Sequence, residues 1–367
     1  MNIKSLILGS AAALVAGGAA QAADLPVAEP VDYVKVCDAY GAGYFFIPGT
    51  DTCLKISGYA RTEATFNEGD RATQKFDLWA RGQVNFEAKE ETEFGTLSSH
   101  VRFEGDVGKG EDGNIDLKRA YMTLGGFYAG YLTTAGIVDY VGDMYGGDYD
   151  LGDTEAGQIG YNMALGNGVT ATLGIANNKH LNGSWAGQTL PTLVARLKVD
   201  QAWGSVSVGG VVSQARYLNA AYDNDIAYSV AAGGIFNLDM LSEGSNIALN
   251  GFYTEGAMAW NGIASSTYMS DATGDQLNEL YGVSASLKYA FADNLWTVIS
   301  GGYGDYNDKG ATNLDYDFYT VSGEVGYKPV KNLKIIAGIQ YTDRDFDYVT
   351  TADTEVWEGK LRLQRDF

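Results

Sequence analysis

Four arginines lie at similar positions in four consecutive stretches of the chain, each of which alternates polar and apolar residues. They are Arg61, Arg81, Arg102 and Arg119. A later stretch, from Thr133 to Gly157, contains acidic residues and no lysine or arginine. Its acidic residues are Asp139, Asp143, Asp148, Asp150, Asp153 and Glu155. Because rings of charged side chains set ion selectivity in pores, these residues predict electrostatic filtering of ions and not bond breaking.

The position of the acidic stretch decides what this charge pattern does. If the stretch folds toward the arginines, Asp139, Asp143 and Asp148 face them across a narrow aqueous passage, and the seven residues form a pore constriction. An exposed acidic loop is the alternative. A calcium site among Asp148, Asp150 and Asp153 is a further alternative, although their spacing is not that of an EF-hand.

Residues that could support catalysis or hold a cofactor are sparse. The two histidines, His100 and His180, are far apart in sequence, and with two cysteines they give little support to a zinc site. Ser184 is close to His180, the type of residue that serves as a general base, but it lacks the G-x-S-x-G context of a hydrolase. The glycine-rich residues 105–113 lack the G-K-S/T ending of a phosphate loop, and residues 305–316 depart from the calcium-loop pattern. The sequence therefore predicts no enzyme, no metal and no cofactor, and an outer-membrane hydrolase is the weakest alternative.

The arginines belong to segments with a period of two residues, which is the alternation of a half-buried β-strand. The same alternation continues along the chain, with glycine and alanine blurring its phase between residues 225 and 255. It predicts sixteen strands, at 54–67, 76–89, 96–105, 115–124, 127–133, 157–164, 168–177, 191–201, 204–217, 225–237, 245–255, 279–290, 295–306, 316–327, 333–345 and 354–367. The fold class predicted is an all-β, sixteen-stranded antiparallel barrel.

The connections alternate between tight turns, such as Thr92 to Gly95, and longer polar loops, such as Gly256 to Asn278. Short turns on one rim and long loops on the other are typical of bacterial outer-membrane barrels. Strands of soluble sandwiches are about half as long as these, whereas a membrane-spanning strand needs about 9 to 11 residues. A charge that faces lipid at the bilayer midplane costs about 2 to 4 kcal/mol, so four arginines in one phase indicate a water-filled interior.

Aromatic residues near the predicted strand ends support the membrane assignment. On the apolar faces these are Phe66, Phe86, Phe103, Tyr289, Phe291, Tyr327, Tyr341, Trp357 and Phe367. Aromatic girdles at both interfaces are typical of such barrels, whereas ordinary core aromatics would be scattered along the strands.

Composition and the first residues indicate the compartment. The chain has 367 residues with 46 acidic and 25 basic ones and a net charge of −21, which disfavours nucleic acid as a partner. The apolar run from Leu6 to Ala20 is shorter than a membrane-spanning helix. It follows Lys4 and ends in Ala20-Gln21-Ala22, which predicts a signal peptide over residues 1–22 and an exported mature chain.

The two cysteines are Cys37 and Cys53. Exported proteins commonly form disulfides, and closing this loop would contribute about 3 kcal/mol on the chain-entropy model. A disulfide is therefore the preferred interpretation, with a free thiol as the alternative.

Three segments resemble one known family. They are Val36-Cys37-Asp38-Ala39-Tyr40-Gly41-Ala42-Gly43-Tyr44, the run from Cys53 to Tyr59, and Lys118 to Gly125, with a similar closing segment from Leu361 to Phe367. The chain resembles the porin family of rhizobial and brucella-type alphaproteobacteria over essentially the whole mature length. The resemblance implies a periplasmic lead-in at 23–52, a barrel at 53–367, a third long loop folded into the lumen, and a homotrimer. It also implies that Phe367 is read by the barrel-assembly machinery, although Arg365 stands where an apolar residue is usual.

These observations together predict an outer-membrane channel, surrounded by lipid and lipopolysaccharide, for passive diffusion of small hydrophilic solutes and ions with weak cation selectivity. A substrate-specific, sugar-type channel is the alternative, because Tyr59, Trp79 and Tyr121 share the polar phase and could stack on sugars. Small residues on the outward face of the first strand predict a trimer contact. These are Gly58, Ala60, Thr62 and Ala64.

Overall fold

The computed structural model describes residues 35–68, 75–108, 113–133, 154–180, 185–261, 269–310, 314–347 and 354–367. Sixteen long antiparallel strands form one closed sheet, which confirms the predicted fold class. They are β1 (Cys53–Asn67), β2 (Phe76–Thr92), β3 (Gly95–Val107), β4 (Ile115–Leu124), β5 (Phe127–Thr133), β6 (Glu155–Gly166), β7 (Val169–Ala176), β8 (Thr192–Gln201), β9 (Gly204–Ala215), β10 (Asp225–Asn237), β11 (Asn246–Glu255), β12 (Glu279–Ala292), β13 (Leu295–Asn307), β14 (Tyr316–Val330), β15 (Leu333–Phe346) and β16 (Thr354–Asp366).

Each strand pairs with its neighbours in sequence, and the sheet closes where β16 pairs with β1. Beyond the end of β16, Phe367 continues this pairing through two backbone hydrogen bonds with Gly58, at 3.0 and 3.1 Å. A closed sheet leaves no strand edge unpaired, which is why a barrel can stand in lipid where an open sheet cannot.

A few short elements accompany the barrel. A 3₁₀ helix at Asp38–Tyr40 and a short strand at Phe45–Phe46, which pairs with the start of β1, precede the barrel. A second 3₁₀ helix at Met258–Asn261 and a small hairpin of Ala272–Thr273 with Gln276–Leu277 follow β11. None of the helices within the described part of the chain is long and apolar enough to cross a membrane.

The turns and loops segregate as the sequence predicts. Six of the seven turns on one rim contain two residues, whereas the seventh, between β10 and β11, spans residues 238–245. The other rim, called here the long-loop rim, carries the longer connections, including residues 134–154 and 256–278. The predicted strand ends differ from the observed ones by up to three residues, as at the ends of β2 and β14, and β6 begins at Glu155 and not at Gly157.

The alternation along each strand separates two faces. On β1, Ile56 and Phe66 are exposed on the outer surface, while Arg61 and Glu63 are turned inward and largely covered. The same phase holds on β2, where Leu78 and other apolar side chains are exposed outward. An apolar outer surface with a polar interior is the arrangement of a membrane barrel with an aqueous lumen.

Gly58 departs from its expected place on an open outward face. It is buried, and a Cβ built on it would lie 2.0 Å from the carbonyl oxygen of Gln83 and 2.9 Å from the ring of Phe367. Phe367 therefore covers this position, and Gly58 is unavailable for the packing against another barrel that its small size suggests.

One sector of the barrel interior is apolar near the long-loop rim. The inward wall side chains here lie on β6 to β15 and are Ala156, Ala176, Val194, Val211, Ala215, Ala227, Ala231, Phe252, Leu280, Tyr306, Tyr316, Phe318 and Phe346. Residues of the sixth long loop pack against them, namely Ala257, Met258, Trp260, Met269 and Leu277. We call the described residues of this loop, 256–261 and 269–278, the loop-six plug. The sequence alone suggests a polar loop here, but this part of it is largely buried.

The plug explains the blurred phase between residues 225 and 255. The outer faces of β10 and β11 are apolar because they form part of the apolar outer surface of the barrel, as at Val230 and Leu249. Their inner faces are also apolar near the long-loop rim because Ala231 and Phe252 contact the plug. A strand covered by apolar surroundings on both sides loses the period-two signal.

Candidate functional site

The four arginines singled out from the sequence occupy the inward face of β1 to β4. The strand register places Arg61 directly opposite Arg81, and Arg102 directly opposite Arg119. Like charges that face each other across two strands are destabilising. Each pair therefore needs counter-charges or hydrogen-bond acceptors nearby.

Arg81 is matched by carboxylates of the neighbouring strand. Its Nε and Nη2 donate to the two carboxylate oxygens of Asp106 at 2.6 and 2.8 Å, and its Nη1 lies 2.9 Å from Oε1 of Glu104. The guanidinium also lies over the indole of Trp79, 5.3 Å from the ring centroid. Fork-shaped pairing with a carboxylate is the strongest arrangement open to arginine, so the charge of Arg81 is locally balanced.

Arg119 pairs with an acid from the predicted acidic stretch. Its Nε lies 2.6 Å from Oε1 of Glu155, the first residue of β6. Glu155 is thus a wall residue of the barrel and does not belong to the loop, which corrects its sequence-based position.

Arg61 and Arg102 each donate a hydrogen bond to a neutral side chain. Arg61 donates from Nε to Oε1 of Gln364 at 2.8 Å and lies 4.6 Å from the ring centroid of Tyr59. Arg102 donates from Nε to Oδ1 of Asn85 at 2.8 Å, and within the described residues it forms no ion pair. A further wall pair, Arg362 with Glu63 at 2.6 Å, lies beside Arg61 at the seam of the barrel.

Sequence reasoning missed the wall acids Glu63, Glu104 and Asp106 as partners of the arginines. A signal was available, because each falls on the inward phase of its strand. Cross-strand register, which decides which inward residues meet, depends on turn geometry and bulges and cannot be read from the alternation. A register shift between Arg102 and Phe103 shows the effect directly.

The other three members of the predicted constriction, Asp139, Asp143 and Asp148, lie outside the described residues. So do Asp150 and Asp153. The role of all seven residues at a constriction, and the inward fold of the third long loop, stay predictions.

The histidines sit in separate surroundings. His100 stacks on Tyr121 with ring centroids 5.1 Å apart, beside the Arg102–Arg119 pair. His180 stacks on Trp185 at 4.0 Å, its Nε2 lies 2.9 Å from the side-chain nitrogen of Asn178, and its Nδ1 lies 3.7 Å from Asp271. Ser184 lies outside the described residues. These contacts orient the histidines within the barrel, and none of them brings a described serine to either ring.

The predicted disulfide is confirmed, with the Cα atoms of Cys37 and Cys53 6.0 Å apart. It joins the segment before the barrel to the first residue of β1. Tyr40 and Tyr44 pack around it, and Tyr40 donates to Glu91 at 3.1 Å. Burial, followed by this hydrogen bond, raises the pKa of Tyr40, so its hydroxyl remains a donor at neutral pH.

Comparison with known proteins gives a consistent result. The family model of the Porin subfamily matches residues 24–362. Porin Omp2b of Brucella canis is 32% identical over 406 aligned residues, covering 100% of this chain and 100% of the relative. Among solved structures, the outer membrane channel DcaP of Acinetobacter baumannii has a TM-score of 0.74 at 17% identity, covering 88% of this chain and 99% of that one. An anion-selective porin from Comamonas acidovorans has a TM-score of 0.60 at 14% identity, covering 86% of this chain and 100% of that one.

Proposed function

Since the chain belongs to the porin subfamily and is a porin of the bacterial outer membrane, we propose that its pore passes small hydrophilic solutes and ions by passive diffusion. We propose further that the pore has a weak preference for cations. As a porin it is a channel.

The observation that carries the proposal is that acids on the barrel wall neutralise most of its basic charge. Arg81 contacts Glu104 and Asp106, and Arg119 contacts Glu155, at 2.6 to 2.9 Å. Paired charges create a much weaker field at a distance than single ones. Among the wall residues named above, five arginines, including Arg362, face four acids, including Glu63, so this wall keeps about one positive charge. The acidic third loop, with Asp139, Asp143 and Asp148, and the net charge of −21 then outweigh this remainder.

The preference is weak for a physical reason. Two unit charges about 8 Å apart in water interact by about 0.5 kcal/mol, and 0.1 M salt screens them beyond about 10 Å. Several loop acids acting together, partly offset by the wall, therefore favour cations several-fold and no more. Fold alone does not decide the sign, since the similar Comamonas structure is described as anion-selective.

A sugar-specific channel is the second candidate. It would use Tyr59, Trp79 and Tyr121 as stacking platforms. The guanidinium groups of Arg61 and Arg81 lie over the first two rings, and His100 stacks on the third. Their occupied faces favour general diffusion. Swelling of liposomes that follows solute mass alone supports general diffusion, and swelling that saturates with one sugar supports the sugar channel.

The assembly and processing of the chain complete the proposal. We propose removal of residues 1–22, a periplasmic lead-in at 23–52, a barrel at 53–367 and a homotrimer. Without Gly58, the trimer contact rests on Ala60, Thr62 and neighbouring Gly82, which are small and exposed on the outer surface. Small residues allow close packing between barrels. The exposed ring of Phe367 remains open to the barrel-assembly machinery, and the remaining outer surface contacts lipid and lipopolysaccharide.

The selectivity is tested by neutralising the third loop. Changing Asp139 and Asp143 together to Asn should move the zero-current potential in a KCl gradient toward anion preference. The matched control changes Asp239 and Glu243, which lie in the turn on the opposite rim, to Asn and Gln. If the loop variant and the control give the same potential as the unmodified channel, the third loop does not line the passage.

A further inference from the structure

The loop-six plug is packed as tightly as a protein core. Met258, Trp260 and Met269 are 0%, 1% and 1% exposed. Met258 and Met269 pack in one buried cluster with wall residues well below the rim, such as Ala231, the seventh residue of β10, and Phe252, three residues before the end of β11. At about 3.3 Å per residue along a tilted strand, the plug reaches roughly 10 to 20 Å along the wall from the rim.

Polar contacts fix the plug in place. Asp271 is fully buried, accepts the backbone N–H of Met258 at 2.8 Å and lies 3.7 Å from Nδ1 of His180 in the fourth long loop. The side-chain amide of Asn278 donates to the carbonyl of Ser270 and to the hydroxyl of Tyr306, both at 3.0 Å. Buried polar groups with satisfied hydrogen bonds specify a unique arrangement.

A contact with the base of the third long loop ties the plug to the charged wall. The hydroxyl of Thr154, immediately before β6, donates to the carbonyl oxygen of Ala259 at 2.9 Å. Glu155, the partner of Arg119, is the next residue. The plug and the charged wall are therefore linked through adjacent residues of the backbone.

The plug covers one side of the interior. Its wall contacts lie on β6 to β15, whereas, among the residues that the structure describes, the buried apolar clusters around it include no residue of β16 or of β1 to β5. The opposite wall carries Arg61, Arg81, Arg102 and Arg119, together with their hydrogen-bonding partners.

We propose that the loop-six plug is a permanent filling of one side of the lumen, and that it confines permeating solutes to the side lined by the arginines. The plug then sets the width of the pore on the long-loop side, with Met258 and Trp260 as the residues that hold it against the wall. The proposal rests on the proposed diffusion function and deepens it, because it explains why a wide barrel can pass solutes near one charged wall.

Cysteine accessibility tests the position of the plug. Both natural cysteines form the disulfide, so an introduced thiol is the reactive one. We compare Ala231→Cys, an inward position beneath the plug, with Thr65→Cys, an inward position on the uncovered wall, using a charged, water-soluble methanethiosulfonate reagent on the folded channel. The thiol at 231 should react at least about tenfold more slowly, because labelling there requires local opening of the plug. Equal rates would overturn the proposal.

Single-channel conductance tests the consequence. Replacing residues 258–277 by a short Gly-Ser linker removes the plug from a barrel wide enough for an aqueous channel. Conductance should rise roughly twofold, and Ala231→Cys in this background should react as fast as Thr65→Cys. Unchanged conductance in a correctly inserted barrel would contradict the proposal, and if the shortened chain does not insert, the labelling of the full-length variants decides.

The two proposals fail separately. Labelling rates report where the plug lies and do not depend on ion selectivity. A slow Ala231→Cys reaction in a channel that prefers anions would overturn the selectivity proposal and leave the plug in place.

Discussion

Glu155 offers a direct test of how the basic wall is neutralised. Its carboxylate lies 2.6 Å from Nε of Arg119, and Arg119 stands opposite Arg102 in the strand register. Changing Glu155 to Gln keeps the size of the side chain and a hydrogen-bond acceptor. It adds one net positive charge to the wall at the point where two arginines already face each other.

The expected effect follows from Coulomb's law. An ion that passes about 5 Å from a unit charge in water interacts with it by about 0.8 kcal/mol, which 0.1 M salt reduces to about 0.5 kcal/mol. The sign is opposite for potassium and chloride, so their relative free energy changes by about 1 kcal/mol. Glu155→Gln should therefore shift the potassium-to-chloride permeability ratio roughly fivefold toward chloride.

Zero-current potentials across a KCl gradient, measured in planar bilayers, report this ratio. Glu355→Gln is the matched control, because Glu355 is an exposed residue on the outward phase of β16 and its removal changes the net charge equally. The shift should shrink as salt rises. Equal shifts in the two variants would mean that total charge and not the wall sets selectivity, and no shift for Glu155→Gln would refute the neutralisation argument.

Three further predictions concern assembly and stability. Gly58→Ala should lower the temperature at which the folded band on a gel converts to the unfolded one, because the added Cβ meets the backbone of Gln83 and the ring of Phe367, whereas Gly323→Ala on β14, with open space around the Cβ, should have no effect. Ala60→Trp should convert unheated trimer to monomer, while Ile299→Trp, exposed on the far wall, should not; an intact trimer in Ala60→Trp would exclude the β1 face. Replacing both Cys37 and Cys53 with Ser should speed limited proteolysis of residues 35–52, since the bond contributes about 3 kcal/mol, and leave conductance unchanged; equal proteolysis would show that the bond does not hold this segment.

Much of the barrel can be predicted from the sequence because the features that define its strands depend on residues close together in the chain. Period two, strand length and turn residues act over neighbouring positions, so the sixteen strands and the inward phase of Arg61 and Arg81 can be read directly. The disulfide is readable too, because Cys37 and Cys53 are the only cysteines in the sequence. Each of these signals lies within a strand or a short segment.

The partners of the arginines and the loop-six plug depend on distant parts of the chain. Asp106 meets Arg81 because the two-residue turn between β2 and β3 sets the register that places them directly opposite each other. Trp260 is buried because small wall residues such as Val211 and Ala227 leave room for it, and those residues look like lipid-facing ones in the sequence. Periodicity cannot show which of two apolar faces meets lipid and which meets another loop.

The seam between β16 and β1 has a consequence for the kinetics of folding. Arg61 bonds to Gln364 across a sequence separation of 303 residues, and neighbouring pairs at the seam are similarly distant. Closing a flexible loop of this length costs about 5 kcal/mol of chain entropy, and this cost is met before the seam contacts form. Until then β1 and β16 each present an open edge to any other strand. A chain that is kept apart from other chains until β16 pairs with β1 is therefore protected from pairing with the wrong strand.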